Sequence, residues 1–179
     1  MRTTLTLLFC ATTLFGACSS APEEPAVLMP AECGTTPNVH AFGDIWLAGQ
    51  PSAADFALAE EQGVKTVITL RKDGELEWNE VQVVSELGMT YVGLPWNGPD
   101  ELDDEVFARS RHLLSKAERP ILLHCGSANR VGALWLPWRV LDGGLGVEEA
   151  LAEARTIGMR TPAYEELALD YIERMQAED

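Results

Sequence analysis

From Pro120 to Gly132 the chain reads PILLHCGSANRVG, a short apolar run that ends in His124-Cys125, crosses small residues and meets Arg130 at the head of a new apolar pattern. An apolar run of this length after a proline reads as a buried strand, and Val131 to Leu141 reads as a helix packed against it. The turn between them places a cysteine where backbone N–H groups and the positive end of a helix converge, which favours a thiolate or a bound oxyanion. Arg130 adds a planar fork of donors matched to phosphate oxygens. Gly126, Ser127 and Ala128 keep bulk out of the loop. Asn129 is the non-glycine residue expected to take the left-handed backbone that curls it.

The rest of the chain alternates around this unit. Ile45–Ala48 reads as a strand, Gly49–Pro51 as a turn, and Ser52 as the cap of a helix Ala53–Gln62 that Gly63 stops. Val64–Leu70 is a β-branched strand, followed by a helix over about Glu77–Leu87 and a strand Thr90–Leu94. Asp103 caps a helix Asp104–Lys116, and the last third holds helices Val147–Ile157 and Ala163–Gln176, with Pro137 expected to bend or break the helix after the cysteine loop. Strands alternating with helices predict an α/β fold: a mostly parallel central sheet flanked by helices. In such sheets ligands lie beyond the carboxyl ends of the strands. That rule gathers Arg71 and Lys72, the stretch Pro95–Asp100, and Cys125–Arg130 on one rim.

Composition narrows the classes. With 13 basic and 28 acidic residues and a formal net charge of −15, nucleic acid and anionic lipid surfaces are poor partners. No His or Cys cluster has metal-ligand spacing, so neither a metal nor another cofactor is expected. Residues 1–18 read as a signal peptide, because Arg2 precedes an apolar stretch, Leu5–Phe15, too short for an ordinary membrane span. Its end, LFGAC, resembles a bacterial lipobox, which makes Cys18 a lipidation site and Ser19 a residue suited to onward transport to an outer membrane. Residues 19–40, rich in Pro, Ala, Glu and Ser, read as a flexible tether, and residues 41–179 as the single folded domain. Of the four cysteines, Cys10 leaves with the signal and Cys18 goes to lipid. Cys33 and Cys125 remain, able in principle to form one regulatory disulfide.

The His124-Cys125 pair, the small-residue loop and Arg130 resemble the signature of the dual-specificity and tyrosine class of cysteine phosphatases. Their closest likeness is to a bacterial branch, the beta-lactamase-hydrolase-like phosphatase domains. WLAGQPSAADF (Trp46–Phe56), VKTVITLRKDGE (Val64–Glu75) and MTYVGLPWN (Met89–Asn97) look like successive segments of that branch. Four residues separate Cys125 from Arg130, where the common phosphatase loop has five; the bacterial branch and many rhodanese-type sulfurtransferases share the shorter spacing. Val131 stands where phosphatases usually carry Ser or Thr.

The resemblance implies hydrolysis of phosphomonoesters, phosphotyrosine among the candidates, through a cysteinyl-phosphate. Cys125 is the nucleophile, Gly126, Ser127, Ala128, Asn129, Arg130 and Arg71 hold phosphate, and Asp100 is the general acid. The partner is then a phosphorylated small molecule or protein; from the leader, the expected compartment is the periplasm, with contact with a membrane through the N-terminal lipid alone, or else plain secretion. A rhodanese-like persulfide on Cys125, or phospho-ligand binding without turnover, are the alternatives. Asp103 and Asp104 compete with Asp100 but are also explained by the start of a helix. Trp96 is expected to pack or to line the cleft, Trp135 and Trp138 to be core, and His124 to hold the loop rather than transfer protons.

Overall fold

The computed structural model describes residues 26–178, so the expected leader, Cys18 and the first part of the expected tether lie outside the described residues. In chain order the elements are β1 (Leu28–Pro30), β2 (His40–Phe42), β3 (Ile45–Ala48), α1 (Ala53–Glu61), β4 (Thr66–Thr69), α2 (Glu80–Glu86) and β5 (Thr90–Gly93). A single turn of 3-10 helix (Pro99–Glu101) follows, then α3 (Asp104–Lys116), β6 (Ile121–His124), α4 (Asn129–Leu141), α5 (Val147–Ile157) and α6 (Pro162–Glu178). The strands form one sheet in the order β1-β2-β3-β6-β4-β5. Its four central and distal strands run parallel, with Leu47 and Ile68 both opposite Leu123 across the ladder, while β1, β2 and β3 pair antiparallel. This is the α/β fold with a mostly parallel sheet that the alternation predicts.

Side-chain alternation along the strands divides the core in two. Ile45, Leu47, Ile68, Ile121 and Leu123 face α3, α4 and α6, whereas Ala48, Val67 and Leu122 face α1 and α2. Every residue of α4 from Arg130 to Val140 is buried, the pattern of a helix enclosed on all sides. Gly132 lets α4 meet its neighbours: a Cβ there would lie 2.5 Å from the Ala154 carbonyl and 2.8 Å from Met159 Cβ. Trp135 and Trp138 are core as expected, the first fully buried and joined to Glu153 through its indole N–H. Pro137 does not break the helix, which continues to Leu141, and Arg139 in its last turn pairs with Glu153 at 2.7 Å.

Caps appear at α1 and α3 as the sequence predicts: Ser52 accepts from Asp55 N, and Asp103 from Val106 N. Helix α2 starts later than predicted, at Glu80, because Asn79 caps it by accepting from Gln82 N.

The tether ends sooner than expected. Residues 28–30 form an edge strand on β2, and residues 33–38 make a strap over the N-terminus of α1. Cys33 is 2% exposed and its thiol donates to the Asp55 carbonyl. The Asp55 carboxylate accepts from Thr35 N, both Thr35 and Thr36 hydroxyls, and Ser52 N. Gly34 turns beneath it with φ +57°, where a Cβ would overlap Asp55 Oδ1. Hydrogen bonds rather than a periodic apolar pattern fold this segment, so it leaves little trace in hydropathy. Cys33 lies in the cluster on the α1 and α2 face and Cys125 in the other, and both are free thiols in this fold. Burial, reinforced by Asp55, pushes the Cys33 thiol up from its ordinary value.

Burial alone would raise the Asp55 carboxyl, but the backbone N–H groups of Thr35 and Ser52 and the hydroxyls of the same residues outweigh it, lowering the carboxyl to about 2. A depressed carboxyl stabilises the fold fully above its unfolded value, and that contribution fades as pH falls toward the folded one. Asp55→Ala should therefore cost about 2 kcal/mol at neutral pH, with the difference from wild type shrinking between about pH 4 and pH 2; urea melts across that window check it.

Candidate active site

The site begins where β6 stops. Cys125, 1% exposed, sits directly after His124 and donates its N–H to the Ala48 carbonyl at 3.3 Å, so its position is set by the neighbouring strand. The loop then curls through Ala128, which has φ 63° and is fully buried. The left-handed residue is thus Ala128, not Asn129 as the residue types suggest. A non-glycine left-handed conformation costs of order 1 kcal/mol and persists only where the surroundings hold it.

What holds it is a ring of contacts made from outside. Gln50 N donates to Gly126 O at 3.2 Å, and Asn38 Nδ2 to Ser127 O at 3.2 Å. Asn129 starts α4 and uses its carboxamide twice, accepting from Arg160 N and donating to Thr161 Oγ1, each at 2.8 Å. No side chain caps α4, in contrast to α1, α2 and α3. Its first N–H groups lack intrahelical acceptors and point toward the loop's centre, an anion site by construction.

Arg130, 7% exposed, completes the cradle. Its Nη1 donates to Leu70 O and Trp96 O, both at 2.7 Å, and to Glu75 Oε1 at 3.0 Å; Nη2 donates to Glu75 Oε2 at 2.7 Å. Glu75 thus grips the outer edge of the guanidinium. The adjoining edge, Nε–H with the second Nη2–H, has no oxygen acceptor among the described residues, with the Cys125 sulfur beside the guanidinium, and a fork of two parallel donors on that edge is the geometry that takes two phosphate oxygens. Burial opposes the charged guanidinium, but Glu75 and the sulfur of Cys125 outweigh it and shift Arg130 above the ordinary arginine value. Burial likewise raises Glu75, and bonds from Arg130 and Lys72 N outweigh it, so the carboxyl stays ionised below its usual range.

Arg71 and Lys72 reach the same rim, as predicted. The Arg71 guanidinium lies 2.9 Å from Glu75 and donates to the Glu75 carbonyl, and it covers Gly126 so closely that a Cβ there would be 3.0 Å from Nη1. Lys72 pairs with Glu101 at 2.7 Å, and Glu101 also accepts from Asn97 N. Asp100 stands exposed on the turn Pro99–Glu101 with no partner among the described residues. Asp103 is spent on the cap of α3, and Asp104 on Arg174 at 2.6 Å. Trp96 packs rather than lines an opening: it is 1% exposed, edge-on to Tyr164 at 5.0 Å, and contributes its carbonyl to Arg130.

His124 points to the opposite face of the sheet from the loop. It is fully buried, edge-on to Phe56 at 5.6 Å, with Nε2 3.2 Å from Glu80 Oε1. Glu80 is 4% exposed and accepts from Gln50 Nε2 at 2.6 Å, the same Gln50 whose backbone N holds Gly126. Burial raises the Glu80 carboxyl, but His124, Gln50 and Thr69 outweigh it and keep the group below the usual carboxylate range. Glu75, Glu80, Gln50, Asn38 and Arg160 are therefore parts of the site that the sequence reading missed. Glu75 alone carried a signal, four residues beyond Arg71 in the loop after β4.

The model of the family "beta-lactamase hydrolase-like protein, phosphatase-like domain" matches residues 41–139, more than half of the chain. The chain belongs to that family. It is 32% identical over 102 residues to the beta-lactamase hydrolase-like protein of Agrobacterium fabrum, covering 54% of this chain and 23% of that one. It is 28% identical over 151 residues to the dual specificity protein phosphatase TpbA of Pseudomonas aeruginosa, covering 81% of this chain and 65% of that one. The chain thus spans less than two thirds of either relative. Among solved structures, a cysteine-to-serine variant of TpbA in complex with phosphotyrosine superposes with a TM-score of 0.67 at 22% identity, over 86% of this chain and 98% of that one. The fold of this beta-lactamase hydrolase-like phosphatase domain is that of the cysteine phosphatases.

Glu75 is negative and stands beside the cradle, so on charge alone its loss would tighten binding of a dianion. Its two bonds to Arg130 orient the free edge, and orientation is the larger effect in a buried fork. Glu75→Ala should accordingly weaken inorganic phosphate about tenfold by isothermal titration calorimetry; tighter binding would show that charge dominates.

Proposed function

We propose that this protein is a cysteine-dependent phosphatase that hydrolyses phosphomonoesters, phosphotyrosine among them, through a cysteinyl-phosphate. The observation that carries the reading is the guanidinium of Arg130, held on one edge by Glu75 and two carbonyls and placed beside the Cys125 sulfur at an uncapped helix start. Family membership supports it, as does the likeness to TpbA, a phosphatase whose relative structure carries phosphotyrosine. The same likenesses weigh against the rhodanese reading, which rests on loop length alone.

In this reading the loop amides and Arg130 receive the three non-bridging oxygens, and the Cys125 thiolate attacks phosphorus in line with the leaving oxygen. As the S–P bond forms and the P–O bond breaks, Asp100 gives its proton to the departing oxygen. Water then attacks the cysteinyl-phosphate, its proton passes to Asp100, and the S–P bond breaks to return the thiolate and release phosphate. Charge on the transferring group meets donors fixed before substrate arrives, the arrangement expected to supply the largest share of rate. Val131 is fully buried behind the loop and offers no hydroxyl to the departing sulfur.

We also infer a periplasmic, lipid-anchored location through Cys18, on the strength of the N-terminal sequence.

Para-nitrophenyl phosphate hydrolysis by the purified protein under reductant tests the reading. Turnover should be absent in Cys125→Ser and fall at least a hundredfold in Arg130→Ala, with no thiosulfate-to-cyanide sulfur transfer by wild type. Asp100→Asn should lower kcat about a hundredfold on poor leaving groups and much less on para-nitrophenol, which departs without a proton; equal losses on both would remove Asp100 from the acid role.

A further inference from the structure

Arg71, Lys72 and Arg130 on the rim each contact a carboxylate. Arg130 and Arg71 share Glu75, Lys72 holds Glu101, and on neighbouring α5 Arg155 holds Glu165 at 2.8 Å. Arg160 is different. Its Nη2 donates to Ser127 Oγ at 2.8 Å, which places the guanidinium against the loop that follows Cys125, yet among the described residues it forms no ion pair. Nη1 donates to Gly158 O at 3.3 Å, and the backbone N–H is fixed by Asn129 Oδ1. The segment that carries Arg160 is pinned on its other side by Thr161 to the Asn129 carboxamide, and Gly158 approaches so closely that a Cβ there would lie 3.2 Å from Ser127 O. Arg160 is therefore exposed, held in place by three hydrogen bonds of its own, and without an ion pair among the described residues in a chain of net charge −15, although Glu165 and Glu166 line the same cavity.

A cation that has no ion pair beside an anion loop, and is positioned before any ligand arrives, is a second binding element. We propose that Arg160 forms a further anion contact at the mouth of the Cys125 loop, so that the site favours phosphoryl ligands carrying a second negative group beside the one held by Arg130. The substrate class is then a phosphomonoester with a neighbouring phosphate or carboxylate rather than an isolated one. This rests on the phospho-ligand reading of the loop and names the substrate feature that the loop itself, with no basic residue between Cys125 and Arg130, does not read.

Dissociation constants of methylphosphonate and methylenediphosphonate, which are not hydrolysed, test it by calorimetry at fixed ionic strength. Wild type should bind the diphosphonate at least about tenfold more tightly, the size of one charge-assisted bond. Arg160→Met should bring the two constants within about threefold of each other, and Arg160→Lys should keep part of the preference, with thermal melts of each variant reporting an intact fold. A wild-type ratio near one, or a ratio that survives in Arg160→Met, overturns the proposal. Because no turnover is involved, absence of para-nitrophenyl phosphate hydrolysis would count against the phosphatase reading while leaving this comparison to stand or fall by itself.

Discussion

One buried guanidinium ties this structure together. Arg130 projects from the helix after β6, and its Nη1 donates to the carbonyls of Leu70 beyond β4 and of Trp96 beyond β5. Three parallel strands thus end on a single side chain. Taking a cation out of water costs several kcal/mol unless opposite charge and hydrogen bonds repay it, and Glu75 with the two carbonyls does so on one edge of the group. The other edge keeps its donors, so what is left over from satisfying the fold is what a ligand meets. In an acidic chain that residue of positive potential is local, walled by buried groups, and felt most strongly at the loop.

The loop owes its shape to residues outside it. Its own side chains are small, and the strain at Ala128 is held by Gln50, Asn38, Asn129 and the Gly158 turn. Glu80 extends this support to the far face of the sheet, since it anchors Gln50 and lies against His124. The strand order therefore matters for chemistry: β3 and β4 flank β6, and the segments leaving both are the ones that brace the loop.

The parts of this arrangement that were legible in sequence are those in which cause and effect are neighbours. Strand, loop and helix around Cys125, the caps Ser52 and Asp103, and the gathering of Arg71, Lys72 and Arg130 on one rim all follow from local residue types and one rule about parallel sheets. Glu80, and the pairing of Glu75 with Arg130, were invisible because a carboxylate's partner is chosen by folding, 55 residues away for Arg130 and 44 for His124. Asn129 has the more permissive backbone, yet Ala128 takes the left-handed turn because Asn129's amide is needed as a clasp on residues 160 and 161. Trp96 was open between packing and lining the cleft and is core, because its carbonyl rather than its ring faces the site. The strap at residues 33–38 has the composition of a linker and the hydrogen bonding of a folded segment.

That strap also separates two notions of a domain. The stretch by which the family is recognised, residues 41–139, holds the cysteine loop but omits β1, Cys33 and the threonines on Asp55, along with α5 and α6. Helix α4, buried from Arg130 to Val140, takes much of its covering from those last two helices, and Asn38 and Arg160 touch the loop from opposite sides of the recognised span. Heredity is thus recorded most clearly in a segment that has no complete interior of its own. Relatives that keep the motif while exchanging the flanks would carry the same nucleophile in a differently supported cradle, and their chemistry could diverge without a change in any residue of the signature.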